Sequence, residues 1–346
     1  MRRTYSIFAA LAVLTLFAAG CAKQKVSSIN EDSKRYLEAW ISLNYPNAQE
    51  AGYGIYIIPE GEVVGKGKEI TDSTYLIVNY TSRDLEGNII ETNDIELSKQ
   101  LGIYDRTAFY GPNIWEYIEG GMYKGLRQAI EGMREGGARK VIIPSWLMTY
   151  SEHKNADKYF NSASAESHKI YDFYIKETTK DILEWQMDSL YKYSKKYLGG
   201  IDTLSTGFFY KQIKAPVDTT SFPNDTVIYI NYTGRLLDGT VFDTTIKDTA
   251  KVWGIYNSAQ DYEPMAIHWE SEASKINFGT SDSTAEEPNM ISGFQLTLWQ
   301  MRAMEKGIGA FYSSHGYMRA GSGKTIPAYS PLVFEIELTE KPKDDK

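Results

Sequence analysis

The sequence predicts two domains of mixed helix and strand, built as two copies of one plan. Two matches in the same order carry that reading. Residues 73–88 read STYLIVNYTSRDLEGN and residues 225–240 read DTVIYINYTGRLLDGT, an offset of 152. Gly125 then precedes Leu126, Ile130 and Met133, while Gly293 precedes Phe294, Leu298 and Met301, an offset of 168. The second copy therefore carries 16 more residues between its two matches.

In chain order, Arg2-Arg3 leads a 13-residue run from Ile7 to Ala19 that only Thr15 interrupts. A bilayer span needs about 20 apolar residues, so the run fits the core of a secretory signal instead. It ends in Ala19-Gly20-Cys21, which resembles a bacterial lipoprotein box, with cleavage before Cys21 and acylation of that residue. Several acyl chains anchor firmly where one holds only marginally. The expectation is a signal peptide over 1–20 and lipid attachment at Cys21, with a tether and helix over 21–50. No acidic run directly follows Cys21. The expected location is the bacterial cell envelope, on the outer membrane facing the periplasm.

Asn30, Glu31 and Asp32 open the first helix, Leu37, Trp40 and Ile41 share a face, and Pro46 lies past its end. The first copy follows over 51–177. Its strand of alternating and β-branched residues runs into Asn79-Tyr80-Thr81 and a weak turn at Glu86-Gly87-Asn88. The four-then-three spacing of Leu126, Ile130 and Met133 predicts one face of a short helix. Ile170 to Ile175 forms a closing strand. A linker helix is expected from Thr178 to Leu198 within 178–200, with Leu183, Met187, Leu190 and Tyr197 on one stripe. Lys192, Lys195 and Lys196 suit its negative end, and Gly199-Gly200 terminates it. Its expected role is to space or pack the domains.

The second copy spans 201–342. Asp238-Gly239 is a strong hairpin signal because the turn needs positive φ. Phe294, Leu298 and Met301 repeat the helix face, and Leu332 to Leu338 repeats the closing strand.

Composition narrows the function. With 42% hydrophobic residues and 13% aromatics the chain is globular. Its net charge is −8, and removing 1–20 takes away Arg2 and Arg3 but no acid, giving −10. No Lys/Arg cluster is available to displace phosphate counterions, so nucleic acid is not an expected partner. One cysteine excludes a disulfide scaffold, a thiolate zinc site and a redox pair. Gly321-Ser322-Gly323-Lys324-Thr325 looks like the end of a phosphate loop. Met318 stands where that motif needs Gly, and Ile326-Pro327 leads to a strand rather than a helix. His153, His168, His268 and His315 are dispersed, without metal-ligand spacing. The two Asn-Tyr-Thr sequons lie in expected strands and read as accidental.

The second copy resembles the FKBP-type peptidyl-prolyl cis-trans isomerases. Tyr232-Thr233-Gly234, Leu237 to Asp243, and Ile326-Pro327 to Leu332-Val333-Phe334 carry the resemblance as an ordered set from about Phe208 to Leu338. It implies an α+β fold in which a twisted antiparallel sheet wraps a short helix, here Gly293–Met301. It also implies a prolyl pocket lined by Tyr232, Phe242, Asp243, Ile291, Phe294, Tyr317 and Phe334. The Ile291 N–H would hold the substrate carbonyl, the Tyr317 hydroxyl a neighbouring one, and Asp243 would orient the hydrogen bonds. Phe294 stands where the family usually has Trp. Tyr317 lies 16 residues after Met301 and 9 before Ile326, as the family spacing expects.

The chemistry asks for few polar groups. An Xaa-Pro bond prefers trans by only about 0.5–1 kcal/mol, yet amide resonance keeps exchange at tens of seconds or slower. Twisting the bond reduces its charge separation, so a water-excluded pocket favours the twisted form. No bond is broken, and neither cofactor nor metal is required.

Departures from the family mark what else to expect. The stretch from Asp243 to Gly279 is long and holds Trp253, Tyr256, Tyr262 and Trp269. A polar insertion with Glu286-Glu287 follows. These loops either extend the substrate groove or pack over the sheet. Met304 replaces a family Gly, and Gly316-Tyr317-Met318 replaces Ala-Tyr-Gly. In the first copy Tyr80 and Phe173 are kept, but Ile90-Glu91 replaces Phe-Asp, Leu126 replaces Trp, and Thr149 stands at the tyrosine position, with Tyr150 expected to point elsewhere. That copy is expected to bind peptide or dock the second domain, with weak or no activity. The resulting expectation is an isomerase and folding factor for envelope proteins, its partners proline-containing polypeptides and, through the anchor, a membrane. The alternatives are a non-catalytic peptide-binding chaperone or scaffold, and a polysaccharide-handling lipoprotein suggested by the 26 tyrosines.

Overall fold

The computed structural model describes residues 28–200, 207–280 and 290–342; the leader, Cys21 and Glu286-Glu287 lie outside them. No helix among the described residues is long and apolar enough to cross a membrane.

The first repeat contributes strands β1 (Gln49–Glu50), β2 (Tyr56–Val63), β3 (Thr74–Arg83), β4 (Ile89–Thr92), β5 (Asn113–Tyr117), β6 (Ala138–Ile143) and β7 (Lys169–Thr179). They run in the order β1-β2-β6-β7-β3-β4, with β5 also on β3. The second contributes β8 (Phe208–Lys214), β9 (Thr226–Leu236), β10 (Val241–Thr244), β11 (Met265–Trp269), β12 (Asn277–Phe278), β13 (Lys306–Phe311) and β14 (Leu332–Thr339). Their order is β12-β11-β9-β14-β13-β8, with β10 also on β9. All pairings within both sheets are antiparallel. Strands β8, β13, β14, β9, β10 and β11 thus stand where β2, β6, β7, β3, β4 and β5 stand in the first sheet. The chain is α+β, and its duplication extends to strand order.

Seven helices complete the described residues: α1 (Glu31–Asn44), α2 (Ile95–Gln100), α3 (Lys124–Ile130), α4 (Ala156–Phe160), α5 (Ile182–Tyr193), α6 (Lys247–Trp253) and α7 (Ser292–Gln300). Helices α3 and α7 each lie against their own sheet. Leu126, Ile130 and Met133 are buried in one core, and Phe294, Leu298 and Met301 in the other. The third residue of each set lies just past the helix, so the apolar spacing outlasts the helix itself. Close approach of α7 to the sheet depends on Gly309 in β13. A Cβ there would fall 1.9 Å from Thr297 Oγ1.

Helix α1 covers the first core with Leu37 and Ile41. Asn30 does open it, but its side chain caps no helix N–H. The Asn30 amide instead donates to the carbonyls of Phe160 and Ser162, at 2.7 and 2.9 Å, tying the helix to α4. Nearby His168 is buried between two serines. The Ser145 N–H donates to Nδ1 at 3.0 Å, which places the proton on Nε2, 2.9 Å from Ser33 Oγ. Burial holds this imidazole's pKa below the ordinary 6.5. As pH falls below about 6.5 the unfolded chain protonates first, so it binds more protons and the fold loses stability. The expected result is a lower urea midpoint at pH 5.5 than at 7.5, with a smaller difference in His168→Gln.

The linker helix differs from its expectation at its start, while its end at Leu198 and Gly199 is as expected. Thr178 and Thr179 extend β7, pairing with Leu76 and Tyr75, and α5 starts at Ile182. Asp181 caps it, accepting from the N–H groups of Leu183 and Glu184 at 2.9 and 3.0 Å. Leu190 is buried, whereas Tyr197 is exposed within a final π-turn, Ser194–Leu198, that Gly199 ends at φ 76°. Leu190 and Leu198 pack with Phe209, Ala310, Tyr312 and Val333, so this helix covers the second sheet. Its fully buried Gln186 donates to Ser313 Oγ at 2.9 Å and accepts from the Ser313 N–H at 2.7 Å. The 313–331 connection is thereby fixed at its start.

The two methionines at family glycine positions have left-handed backbones, with φ 59° at Met304 and 48° at Met318. A side chain there costs about 1–2 kcal/mol, partly offset by the entropy glycine loses on folding. Met304→Gly and Met318→Gly are each expected to raise stability by about 0.5–1 kcal/mol, read as a shift in denaturant midpoint at constant slope.

Candidate active site

The hairpin β9–β10 builds one wall of a cavity of about 520 Å³ in the second domain. Leu236 and Thr240 close the hairpin through a 2.9 Å bond, and Gly239 takes φ 94°, as Asp238-Gly239 foretold. The register then sets Asp243 opposite Gly234. Because alternate residues share a face, Tyr232 points the same way as Gly234, and its hydroxyl donates to Asp243 Oδ2 at 2.6 Å. Gly234 has to be glycine for packing reasons: a Cβ would lie 2.6 Å from the Phe242 ring and 2.9 Å from that of Phe334.

Helix α7 supplies the floor. Phe294 meets Tyr232 edge-on at 5.3 Å and Phe334 at 4.9 Å, while Phe242 meets Phe334 at 5.5 Å. Such edge contacts are favoured by ring quadrupoles and lock the walls together. Ile291 sits at the helix N-cap, and its N–H has no acceptor among the described residues. Tyr317 enters from the β13–β14 connection. All seven residues named from the sequence line this one cavity. Cys21 lies outside the described residues.

Sequence reasoning missed Phe278, Met290, Ser322, Gly323, Thr325 and Ile326, which also line it. Phe278 comes from the two-residue edge strand β12, too short to leave a pattern. The long stretch before it divides its roles. Trp269 stacks on Trp299 at 5.4 Å and packs against the core, whereas Phe278 extends the cavity wall.

The electrostatics are simple. Burial, then the charge of Asp243, pushes the Tyr232 phenol far above its ordinary pKa, and the same two causes raise Tyr317. Both phenols are protonated donors at neutral pH. A carboxylate, two phenols and a helix-end N–H are set in walls otherwise mostly apolar. Such a site holds an uncharged polar group and keeps water away, but offers no nucleophile poised beside a base.

The first domain repeats the frame with other walls. Glu91 lies opposite Ser82 as Asp243 lies opposite Gly234, and Tyr80 donates to Glu91 Oε2 at 3.1 Å. Behind each pair a threonine couple is kept, Thr81 with Thr92 at 2.8 Å and Thr233 with Thr244 at 2.9 Å. The register corrects one expectation. Ser82 pairs with Tyr171, so Tyr171 is the counterpart of Phe334; Phe173 pairs with Tyr80 and corresponds to Ile336. Tyr150 also differs from its expectation, since it lines the first-domain cavity, 4.6 Å from Tyr123.

The two domains meet through the 316–331 stretch and at Arg106 beside Val252. The buried Glu116 of β5 accepts from the Tyr329 hydroxyl at 2.5 Å and pairs with Arg319 Nε at 3.0 Å. The Phe109 N–H donates to the Lys324 carbonyl at 3.0 Å, and Arg106 reaches the Val252 carbonyl. A cavity of about 610 Å³ lies between the domains and shares Gly323 and Ile326 with the second-domain cavity.

The chain is 27% identical to FK506-binding protein 1A of Aspergillus fumigatus over 129 residues, 37% of this chain and 89% of that protein. Among solved structures, the three FKBP domains of wheat FKBP73 are 15% identical, covering 84% of this chain and 97% of that one, with a TM-score of 0.28. The peptidyl-prolyl cis-trans isomerase of Pseudomonas syringae is 23% identical over 46% of this chain and 92% of its own, with a TM-score of 0.30. FkpA of Escherichia coli is 22% identical over 46% and 62%, with a TM-score of 0.29. No protein-family model matches the chain.

Proposed function

We propose that this chain, a tandem protein of FKBP type, catalyses peptidyl-prolyl cis-trans isomerisation in its second domain, on proline-containing polypeptides of the bacterial envelope. The observation that carries the reading is the Tyr232–Asp243 bond at 2.6 Å inside an aromatic cavity that Tyr317 and Ile291 also line.

The prolyl ring takes the space between Phe242, Phe294 and Phe334. The Ile291 N–H holds the carbonyl of the scissile-like amide in place, although nothing is cleaved. The Tyr317 hydroxyl steadies a neighbouring carbonyl. Asp243, kept in place by Tyr232, orients these hydrogen bonds. As the C–N bond twists, charge separation in the amide falls, and the apolar walls favour that state over the planar one. Fixed donors need no rearrangement during the twist.

Tyr317→Phe is expected to lower kcat/KM for an Xaa-Pro peptide by about three- to tenfold, the worth of one hydrogen bond of about 0.5–1.5 kcal/mol. Unchanged turnover would remove Tyr317 from the mechanism. The leader and Ala19-Gly20-Cys21 support a lipid-anchored protein on the outer membrane, facing the periplasm. Mass spectrometry of the N-terminus from a bacterial membrane fraction tests it: a diacylated or triacylated Cys21 is expected, and an unmodified thiol would refute it.

A second reading, peptide holding without catalysis, is favoured by the large cavity between the domains, which shares the lining residues Gly323 and Ile326 with the second-domain cavity. Aggregation suppression that persists when the second-domain cavity is blocked would support it.

A further inference from the structure

The first-domain cavity, about 340 Å³, occupies the place of the prolyl pocket in the repeated fold, yet its walls carry a different chemistry. Where the second domain presents phenylalanine rings, this one presents Tyr80, Trp115, Tyr123, Tyr150 and Tyr171 around Glu91. Trp115 comes from β5 rather than from the helix. It lies 5.1 Å from the Tyr80 ring and 6.4 Å from that of Tyr171, occupying the floor that Leu126 is too small to fill. Tyr80 and Tyr171 stack at 6.2 Å.

The charges are as distinctive. Glu91 accepts the Tyr80 phenol and forms no ion pair among the described residues. Its negative charge is felt across the cavity, contributing to the raised pKa of Tyr80, Tyr123, Tyr150 and Tyr171. Burial is the larger cause in each, and all four phenols stay neutral at pH 7. The other carboxylate at the cavity, Glu116, is already matched by Arg319. The lining therefore keeps one net negative charge. Neutral aromatic faces beside an unmatched carboxylate attract a cation twice over, by quadrupole and by charge. Two cations already lie nearby, each with a carboxylate of its own. Lys169 Nζ, paired with Glu166 at 2.9 Å, is 5.8 Å from the centre of the Tyr123 ring. Arg319 is held at the rim by Glu116 and the carbonyls of Gly120 and Gly121, which leaves Glu91 free for a third.

We propose that the first domain has exchanged a prolyl pocket for a site that takes the ammonium side chain of a lysine in an extended polypeptide. The ammonium sits against Glu91, and its methylene stem lies along Trp115 and Tyr171. Proline is disfavoured because Trp115 and the tyrosine hydroxyls occupy the apolar space its ring would need. The site stands independently of catalysis in the second domain.

The test is a calorimetric titration of the full chain at low salt with three short proline-free peptides, alike except for a central lysine, acetyl-lysine or glutamate. The lysine peptide is expected to bind at least tenfold more tightly than the other two, and to weaken as salt is raised. Glu91→Gln is expected to lose about tenfold for the lysine peptide alone. Trp115→Leu is expected to weaken it also, with circular dichroism and thermal melting confirming that each variant is folded. Equal binding of the lysine and acetyl-lysine peptides overturns the proposal. So does a Glu91→Gln chain that binds the lysine peptide as the parent does. Should a variant fail to fold, the peptide series and its salt dependence on the parent chain decide the question alone.

Discussion

Replacing Asp243 with alanine is expected to lower kcat/KM for an Xaa-Pro peptide by about ten- to a hundredfold, or about 1.4–2.7 kcal/mol of transition-state stabilisation. The side chain does more than accept one bond. Without it the Tyr232 hydroxyl, in a residue only 7% exposed, has lost its 2.6 Å partner, and an unmet buried donor costs about 1–3 kcal/mol. The double variant Asp243→Ala with Tyr232→Phe removes that orphan. It is expected to recover stability but not turnover, which separates the packing role from the chemical one. A single variant as active as the parent would show that the carboxylate is structural. The assay is protease-free exchange of an Xaa-Pro peptide, followed by NMR.

Phe334→Ala is expected to be the most damaging change to the second domain, by about 3–5 kcal/mol. Its ring, only 4% exposed, meets those of Phe294, Phe242, Phe311 and Tyr232 at 4.9, 5.5, 5.9 and 6.1 Å. Truncation opens a void that four rings cannot close without leaving their rotamers. The transition of this domain should fall by about 10 °C or more in calorimetry, taking isomerase activity with it. Phe334→Leu should retain the fold while losing turnover, because it keeps volume but not the flat wall. If Phe334→Ala melted like the parent, the ring cluster would be a surface feature rather than the keystone of the cavity.

Much of the site was legible in the sequence because it is built from local devices. The Asp238-Gly239 turn fixes a hairpin, the hairpin fixes the register, and the register brings Asp243 to Tyr232. Helix α7 was visible as an apolar spacing after Gly293. What stayed hidden depends on distance along the chain. Glu116 and Tyr329 are 213 residues apart, and neither sits in a motif. Phe278 follows a long insertion and ends in an edge strand of two residues. In the first domain Phe173 is an aromatic on the right strand, yet side chains alternate faces. Only the pairing of Ser82 with Tyr171 shows which of the two aromatics stands in the place of Phe334. Thr178 and Thr179 read locally as helix because the apolar stripe begins soon afterwards. Their pairing partners, Leu76 and Tyr75, lie about a hundred residues earlier and override local preference.

The 316–331 stretch serves both halves of the molecule. Arg319 and Tyr329 are fastened to Glu116 of the first domain, while Tyr317, Thr325 and Ile326 face the cavity of the second. A shared segment of this kind imposes bookkeeping between two equilibria. By how much a guest in the first cavity alters the affinity of the second, a guest in the second must alter the affinity of the first by the same amount and in the same direction. Occupancy of either cavity then changes the apparent affinity of the other by one common factor. Severing the chain between its halves would set that factor to one, and affinities measured on the pieces would not multiply to those of the whole.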